Sequence, residues 1–304
     1  MNAGILDKVV RNAKLLINYN KQSFSHYSPY SFGKFSSILL CSAVLCLSGC
    51  DSWGEKSIAQ ICQDSPSLCN DLNPDAWCRS EKAEIIRHRF NHQIEATEKQ
   101  NYDMLLKWED YKVCIAKAAG IRHVKHREKE AGRMKGLLTA ERELKRLAWK
   151  TKNAENPYLA YYHWSRFSDA DARARFMRFA KDGSLYNDPA LLVALASIQI
   201  KTDEEAARNT LYEALERVNN DNMVENAVFL SLSTLAIDQE NVATAYLWAI
   251  VASHFNAPVD IPAYRQMAIA SNVNTDEIES KAEEVIDDLQ DGKFNAYRAG
   301  IHKL

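Results

Sequence analysis

The chain has 304 residues, 46% of them hydrophobic and 26% charged, with a formal net charge of −2 at pH 7. That apolar content excludes a disordered or collagen-like chain and is enough for a folded core. The slight acidic excess argues against nucleic acid as the natural partner.

In chain order, the first element is a targeting signal. The apolar run Ile38 to Leu47 closes on Leu47-Ser48-Gly49-Cys50, which reads as the lipobox of a bacterial lipoprotein signal, with Cys50 the lipidated residue. Such a signal needs a short apolar stretch, small residues before the cut and a cysteine whose thiol takes a diacylglycerol. Phe35 to Gly49 is fifteen residues with four serines, short of the roughly 20 apolar residues a spanning helix needs. Lys34 supplies the preceding positive charge. Residues 1–34 form a long leader with no methionine between Met1 and Met104, so translation starts either at Met1 or at a downstream non-methionine codon. Residues 1–49 are expected to be removed and 50–57 to form a short tether. Asp51 after the lipidated cysteine favours retention at the periplasmic face of the inner membrane over the outer membrane.

The mature chain of 255 residues would carry 33 basic and 39 acidic groups. Its compartment is oxidising, and Cys62, Cys69, Cys78 and Cys114 remain to pair there. Four cysteines allow three connectivities. Asn73-Pro74 reads as a helix start, with an Asn cap and Pro in the first turn. Thr97 with Gln100 reads as a capping box for a second helix. An antiparallel pair turning near residue 96 sets Cys78 and Cys114 at the same height, within bridging reach. Cys62 with Cys69 would close a small loop around Pro66. A four-thiolate zinc site is the alternative, but the spacings lack paired CxxC knuckles.

No strand alternation follows Ser57, and apolar residues recur at three- and four-residue steps, which predicts an all-α chain. Residues 58–152 read as a cysteine-containing helical hairpin region with helices over about 74–95, 98–130 and 139–150. Gly132 and Gly136 are expected to mark a break or bend. Between Arg122 and Lys150 lie ten Lys or Arg and four Glu, whereas Asp276 to Asp291 is strongly acidic. The basic stretch reads either as a solvated helix face or as a surface for anionic lipid headgroups near the acyl anchor.

Residues 153–304 are punctuated by loop signals between helices of 10 to 17 residues, a pattern of helical repeats. Leu191, Ala194, Leu195 and Ile198, followed by Ala207, Leu211 and Ala214, match the packing positions of a tetratricopeptide repeat. The frame recurs 38 residues later, with Phe229, Leu232, Ser233 and Ala236, then Ala245, Ala249 and Ala252, and Trp248 in the style of Sel1-like repeats. Looser pairs span Pro157 to Phe167 with Asp169 to Lys181, and Pro262 to Asn272 with Thr275 to Gln290. Small residues let neighbouring helices approach closely enough for a continuous core. The predicted architecture is a disulfide-clipped long helical hairpin followed by a tetratricopeptide-like helical repeat solenoid.

Cys62, Cys69, Leu72, Asn73, Ala76, Trp77 and Cys78, then Asp110, Tyr111, Lys112 and Cys114, and finally Pro157, Tyr158, Tyr161, Tyr162, His163 and Trp164 carry a wider resemblance. On these residues the chain resembles a family of uncharacterised lipoproteins from Gram-negative bacteria, over nearly all of its mature length. That family has no assigned activity, so the resemblance implies a class and no chemistry.

Catalytic constellations are thin. His88 with His92 and His123 with His126 each share a helix face, but two ligands do not make a metal site and arginines surround them. His163, Ser165 and Asp169 supply triad residue types, yet His163 and Ser165 diverge around a helix. Glu109 and Asp110 invite comparison with lytic transglycosylases, without the Glu-Ser pairing. No glycine-rich phosphate loop is present. No catalytic residue, cofactor or metal is therefore assigned. The aromatic set Tyr158, Tyr161, Tyr162 and Trp164 reads either as helix packing or as rigid amphipathic contacts for a protein or peptide partner.

The expected function is a membrane-anchored, non-catalytic scaffold or adaptor in cell-envelope assembly. A peptidoglycan-acting enzyme or its regulator, and a purely structural envelope lipoprotein, are the alternatives.

Overall fold

The computed structural model describes residues 56–92, 94–122, 127–218 and 226–304. The lipobox with Cys50, most of the tether, and the pair His123 and His126 lie outside these residues. Among the described residues the secondary structure is entirely helical, and the disulfides are Cys62–Cys69 and Cys78–Cys114.

Helix α1 (Ile58–Asp64) starts at Ser57, whose side chain and that of Gln60 form a capping box. A 3-10 turn at Pro66–Leu68 brings Cys69 back to Cys62. Three long helices follow: α2 (Arg79–Asn91), α3 (Glu98–Ala119) and α4 (Arg127–Thr151). The Thr97–Gln100 capping box opens α3 as expected.

Asn73-Pro74 does not open a helix. The Asn73 amide donates to Asp75 Oδ1 at 2.6 Å and to the Trp77 carbonyl at 3.0 Å, while its Oδ1 accepts from Tyr111 Oη at 2.8 Å. These bonds fix a compact turn instead. The chain reaches helical geometry only at Arg79, after Cys78 has taken a left-handed φ of 54°. The Cys78–Cys114 bridge then ties the start of α2 to α3.

Nor do Gly132 and Gly136 break a helix, since α4 runs through both. Their role is close approach. A Cβ at Gly132 would lie 2.7 Å from Pro74 Cδ, and one at Gly136 would collide with the Tyr111 hydroxyl and come within 3.2 Å of Asn73 N. Tyr111 is fully buried and bonded to Asn73 through both partners, so it cannot swing away. Gly136→Ala is therefore expected to destabilise the fold by about 1–3 kcal/mol, although alanine is the better helix former by about 1 kcal/mol. Gly120→Ala, where the nearest atom is 3.7 Å away and φ is −74°, is the control and should be neutral or stabilising in a thermal melt.

The second half is built from α5 (Pro157–Phe167) with α6 (Ala170–Lys181), α7 (Pro189–Gln199) with α8 (Glu204–Leu215), and α9 (Ala227–Asp238) with α10 (Val242–His254). Asn156, Asp169, Asp188, Asp203 and Asn241 cap α5, α6, α7, α8 and α10 by accepting first-turn backbone N–H groups. In each pair the two helices pack chiefly on one another. The last two, α11 (Ile261–Ala270) and α12 (Thr275–Gln290), both pack on α10 more than on each other. The reason lies in α10, which is buried round most of its circumference. Tyr246, Leu247 and Trp248 point to different sides and are at most 1% exposed.

Ala207, Ala214, Ala245, Ala249 and Ala252 have no exposed surface and permit close helix approach. Trp248 is enclosed by Phe229, Tyr212 and Phe294, with ring centroids 5.9–6.2 Å away. Phe294 belongs to a C-terminal segment that folds back after α12, and Asn295 Nδ2 and Ala296 N there donate to Glu216 Oε1. The core divides into an N-terminal cluster around Trp108, a middle cluster around Phe176 and a C-terminal cluster around Trp248. No helix among the described residues is long and apolar enough to cross a membrane.

Candidate functional site

Helix α5 joins the cystine-bearing half to the helix pairs that follow, and its aromatic residues are distributed between the two. Tyr162 is 4% exposed and belongs to the N-terminal core. Its hydroxyl donates to Glu109 Oε1 at 3.0 Å. Arg166 clamps the same carboxylate through Nε at 3.0 Å and Nη2 at 3.1 Å. Burial, reinforced by the Glu109 charge, raises the Tyr162 phenol far above its usual range. On the other side Tyr161 and Trp164 pack into the middle cluster with Phe176, and the Tyr161 hydroxyl meets Ser197 at 3.3 Å. Tyr158 bonds the α7 cap Asp188, lies 5.0 Å from the Tyr102 ring and is covered by Lys99 Nζ at 4.4 Å. Tyr158, Tyr161 and Trp164 are half-buried, whereas Phe167 at the end of α5 is 58% exposed.

The polar residues singled out by type lie apart in role. Glu109 is the carboxylate of the Arg166 clamp. His163 is buried and its Nε2 lies 3.0 Å from Thr151 Oγ1. Ser165 Oγ donates to the Tyr162 carbonyl, and Asp169 caps α6. His88 and His92 are neighbours, with ring centroids 4.5 Å apart, beside a cavity of about 420 Å³ that Asp103, Lys107 and Asp110 also line. The group of metal-capable residues whose ligand atoms converge among the described residues is Cys78, Glu81 and Cys114, and its two sulfurs are joined to each other.

Burial is the main cause that lowers both His88 and His163 below the usual 6.5. At His88 the neighbouring His92 and Lys107 add to it and Asp103 opposes. At His163 Asp169 opposes burial, and Arg175 and Lys152 add to it. Such groups fold in the neutral state, so the unfolded chain binds the more protons as pH falls below 6.5. Stability is accordingly expected to be complete above that value and to fall as pH drops from 6.5 towards the lowered folded values. Urea midpoints across pH 8 to 5 check this, and in His163→Gln the decline should be shallower.

The basic charge of residues 122–150 was legible in the sequence, but the apolar stripe on one face of that helix was not. On α4 the buried side carries Arg133, Gly136, Ala140 and Leu147. On the opposite side Met134, Leu138 and Trp149 are 45%, 57% and 81% exposed, and Arg142 and Lys145 lie exposed between them. The spacing 134, 138, 145, 149 is itself a helical stripe, but the break expected at Gly136 divided it. The fold-back of the C-terminal segment was likewise unforeseen; it encloses a cavity of about 550 Å³ with Arg208, Tyr212, Thr244 and Tyr297 on its walls. The buried Thr244 hydroxyl has no hydrogen-bond partner there.

Compared with known families, residues 47–250 match the model of the family described as "Protein of unknown function (DUF2989)". The match covers two thirds of the chain, and the chain belongs to that family. No curated protein and no solved structure matches it.

Proposed function

We propose that this member of the DUF2989 family is a lipid-anchored envelope protein that acts by binding rather than by catalysis, as a scaffold or adaptor for a protein or peptide partner in the periplasm. The observation that carries the binding reading is the succession of helix pairs α5/α6, α7/α8 and α9/α10, with unexposed alanines at their contacts. This is the packing logic of tetratricopeptide and Sel1-like arrays, whose stacked helices offer extended surfaces to peptides. The analogy is one of architecture. Tyr158, Tyr161 and Trp164 would present their half-buried rims to the partner, with Tyr162 beneath them as support. No cofactor enters this reading.

The anchoring reading rests on Leu47-Ser48-Gly49-Cys50, at whose first residue the family match also begins. Two disulfides suit the oxidising side of the membrane, and Asp51 favours the inner membrane. Cys50→Ala is expected to abolish incorporation of labelled fatty acid and to leave the precursor unprocessed. A variant that is still acylated and cleaved would refute the anchor.

A further inference from the structure

We infer that the outward face of α4 is a docking surface for an anionic lipid bilayer, so that the protein lies against the membrane that its acyl group would enter. The orientation in the cell rests on the anchored reading above; the affinity of the face for lipid does not.

Three observations converge on this face. Trp149, Leu138 and Met134 are exposed on one stripe, and an indole beside aliphatic groups is the composition that settles at a bilayer interface. The cations Arg142 and Lys145 share the stripe, and Lys135, Arg146 and Lys150 flank it as further exposed cations. Over the whole helix eight Lys or Arg face four Glu. The carboxylates near the stripe are already engaged: Glu141 with Lys112 at 3.7 Å, and Glu143 with both Arg142 and Arg146 at 3.3 and 2.8 Å. What remains is a surplus of positive charge around an apolar strip, the complement of phosphatidylglycerol or a similar anionic headgroup. The tether is also short. Five residues lie between Cys50 and Lys56, a reach of at most about 20 Å, and Lys56 opens the half of the molecule that contains α4.

The test uses residues 51–304 without lipid, which hold every described helix, both disulfides and all three core clusters. Binding to phosphatidylglycerol vesicles is measured by co-sedimentation against phosphatidylcholine vesicles. Binding to the anionic vesicles alone is expected, with release by salt. Brominated lipid should quench tryptophan emission, and that quenching should be lost in Trp149→Phe, a change at a side chain too exposed to affect folding. Arg142→Glu with Lys145→Glu should weaken binding roughly tenfold or more. Equal binding to both lipids, unchanged binding of the double variant, or self-association that Leu138→Ser abolishes, which would make a second copy the occupant, would each overturn the inference. None of these outcomes bears on acylation of Cys50, which the alanine variant reads separately.

Discussion

Cys78→Ser with Cys114→Ser is expected to lower stability by about 4 kcal/mol, the loop-entropy value for a bridge spanning 36 residues. The Cys62–Cys69 bridge spans 7 residues, and the same relation gives about 2.5 kcal/mol. The longer bridge also holds a residue in a costly conformation. Cys78 has a left-handed backbone at the start of α2, a conformation costing a non-glycine residue roughly 1 kcal/mol or more, and the bonds of the 73–77 turn and the bridge to α3 hold it there. Urea denaturation with and without reductant checks both values. Reduced wild type should match the variant lacking all four cysteines, and loss of Cys78–Cys114 should account for most of the difference.

Arg133→Met is expected to cost about 3–5 kcal/mol, the range for removing one partner of a buried ion pair. Arg133 is 3% exposed; its Nε donates to Asp75 Oδ2 at 2.7 Å and its Nη1 to the Ala118 carbonyl at 3.2 Å. Methionine fills much of the volume, so the loss is electrostatic: a largely buried carboxylate loses the guanidinium bonded to it. At Asp75 burial pushes the carboxyl up, but the bonds from Arg133, from Asn73 and from the Trp77 N–H outweigh it and hold the group below 3.8. A depressed carboxyl contributes stability that is present above its unfolded value and disappears as pH falls through the folded one. Wild type should therefore lose this contribution below about pH 4, and the variant, lacking it, should show a shallower decline there. Guanidinium unfolding at pH 7 and at pH 3 separates the two effects.

Both predictions concern a turn that local sequence signals misread. Asn73-Pro74 carries the composition of a helix start, and the competing demand, hydrogen bonds from Asn73 to Asp75, Trp77 and Tyr111, includes a partner 38 residues away. Gly132 and Gly136 likewise look like helix breakers until Pro74 and Tyr111 are seen against them. What was legible depended on helical period and local chemistry. The Thr97–Gln100 box, the register of Cys78 against Cys114 and the residues Ala207, Leu211, Ala245 and Trp248 all occupy the places their spacing indicated. The pairing of α11 with α12 did not follow, because α10 offers apolar surface on most sides. Of the aromatic set, the division of Tyr162 from Tyr161 between two cores needed the position of Glu109 in space.

The most direct test of the binding account is light-driven crosslinking in cells, with a photoreactive phenylalanine in place of Phe167 or Trp164 in the full-length chain and mass spectrometry of the adducts. The account predicts a discrete adduct with one envelope protein, formed from α5 and absent when the photoreactive residue is placed at exposed Ile269 on α11. Adducts with glycan strands alone, or no adduct from either α5 position, would contradict it.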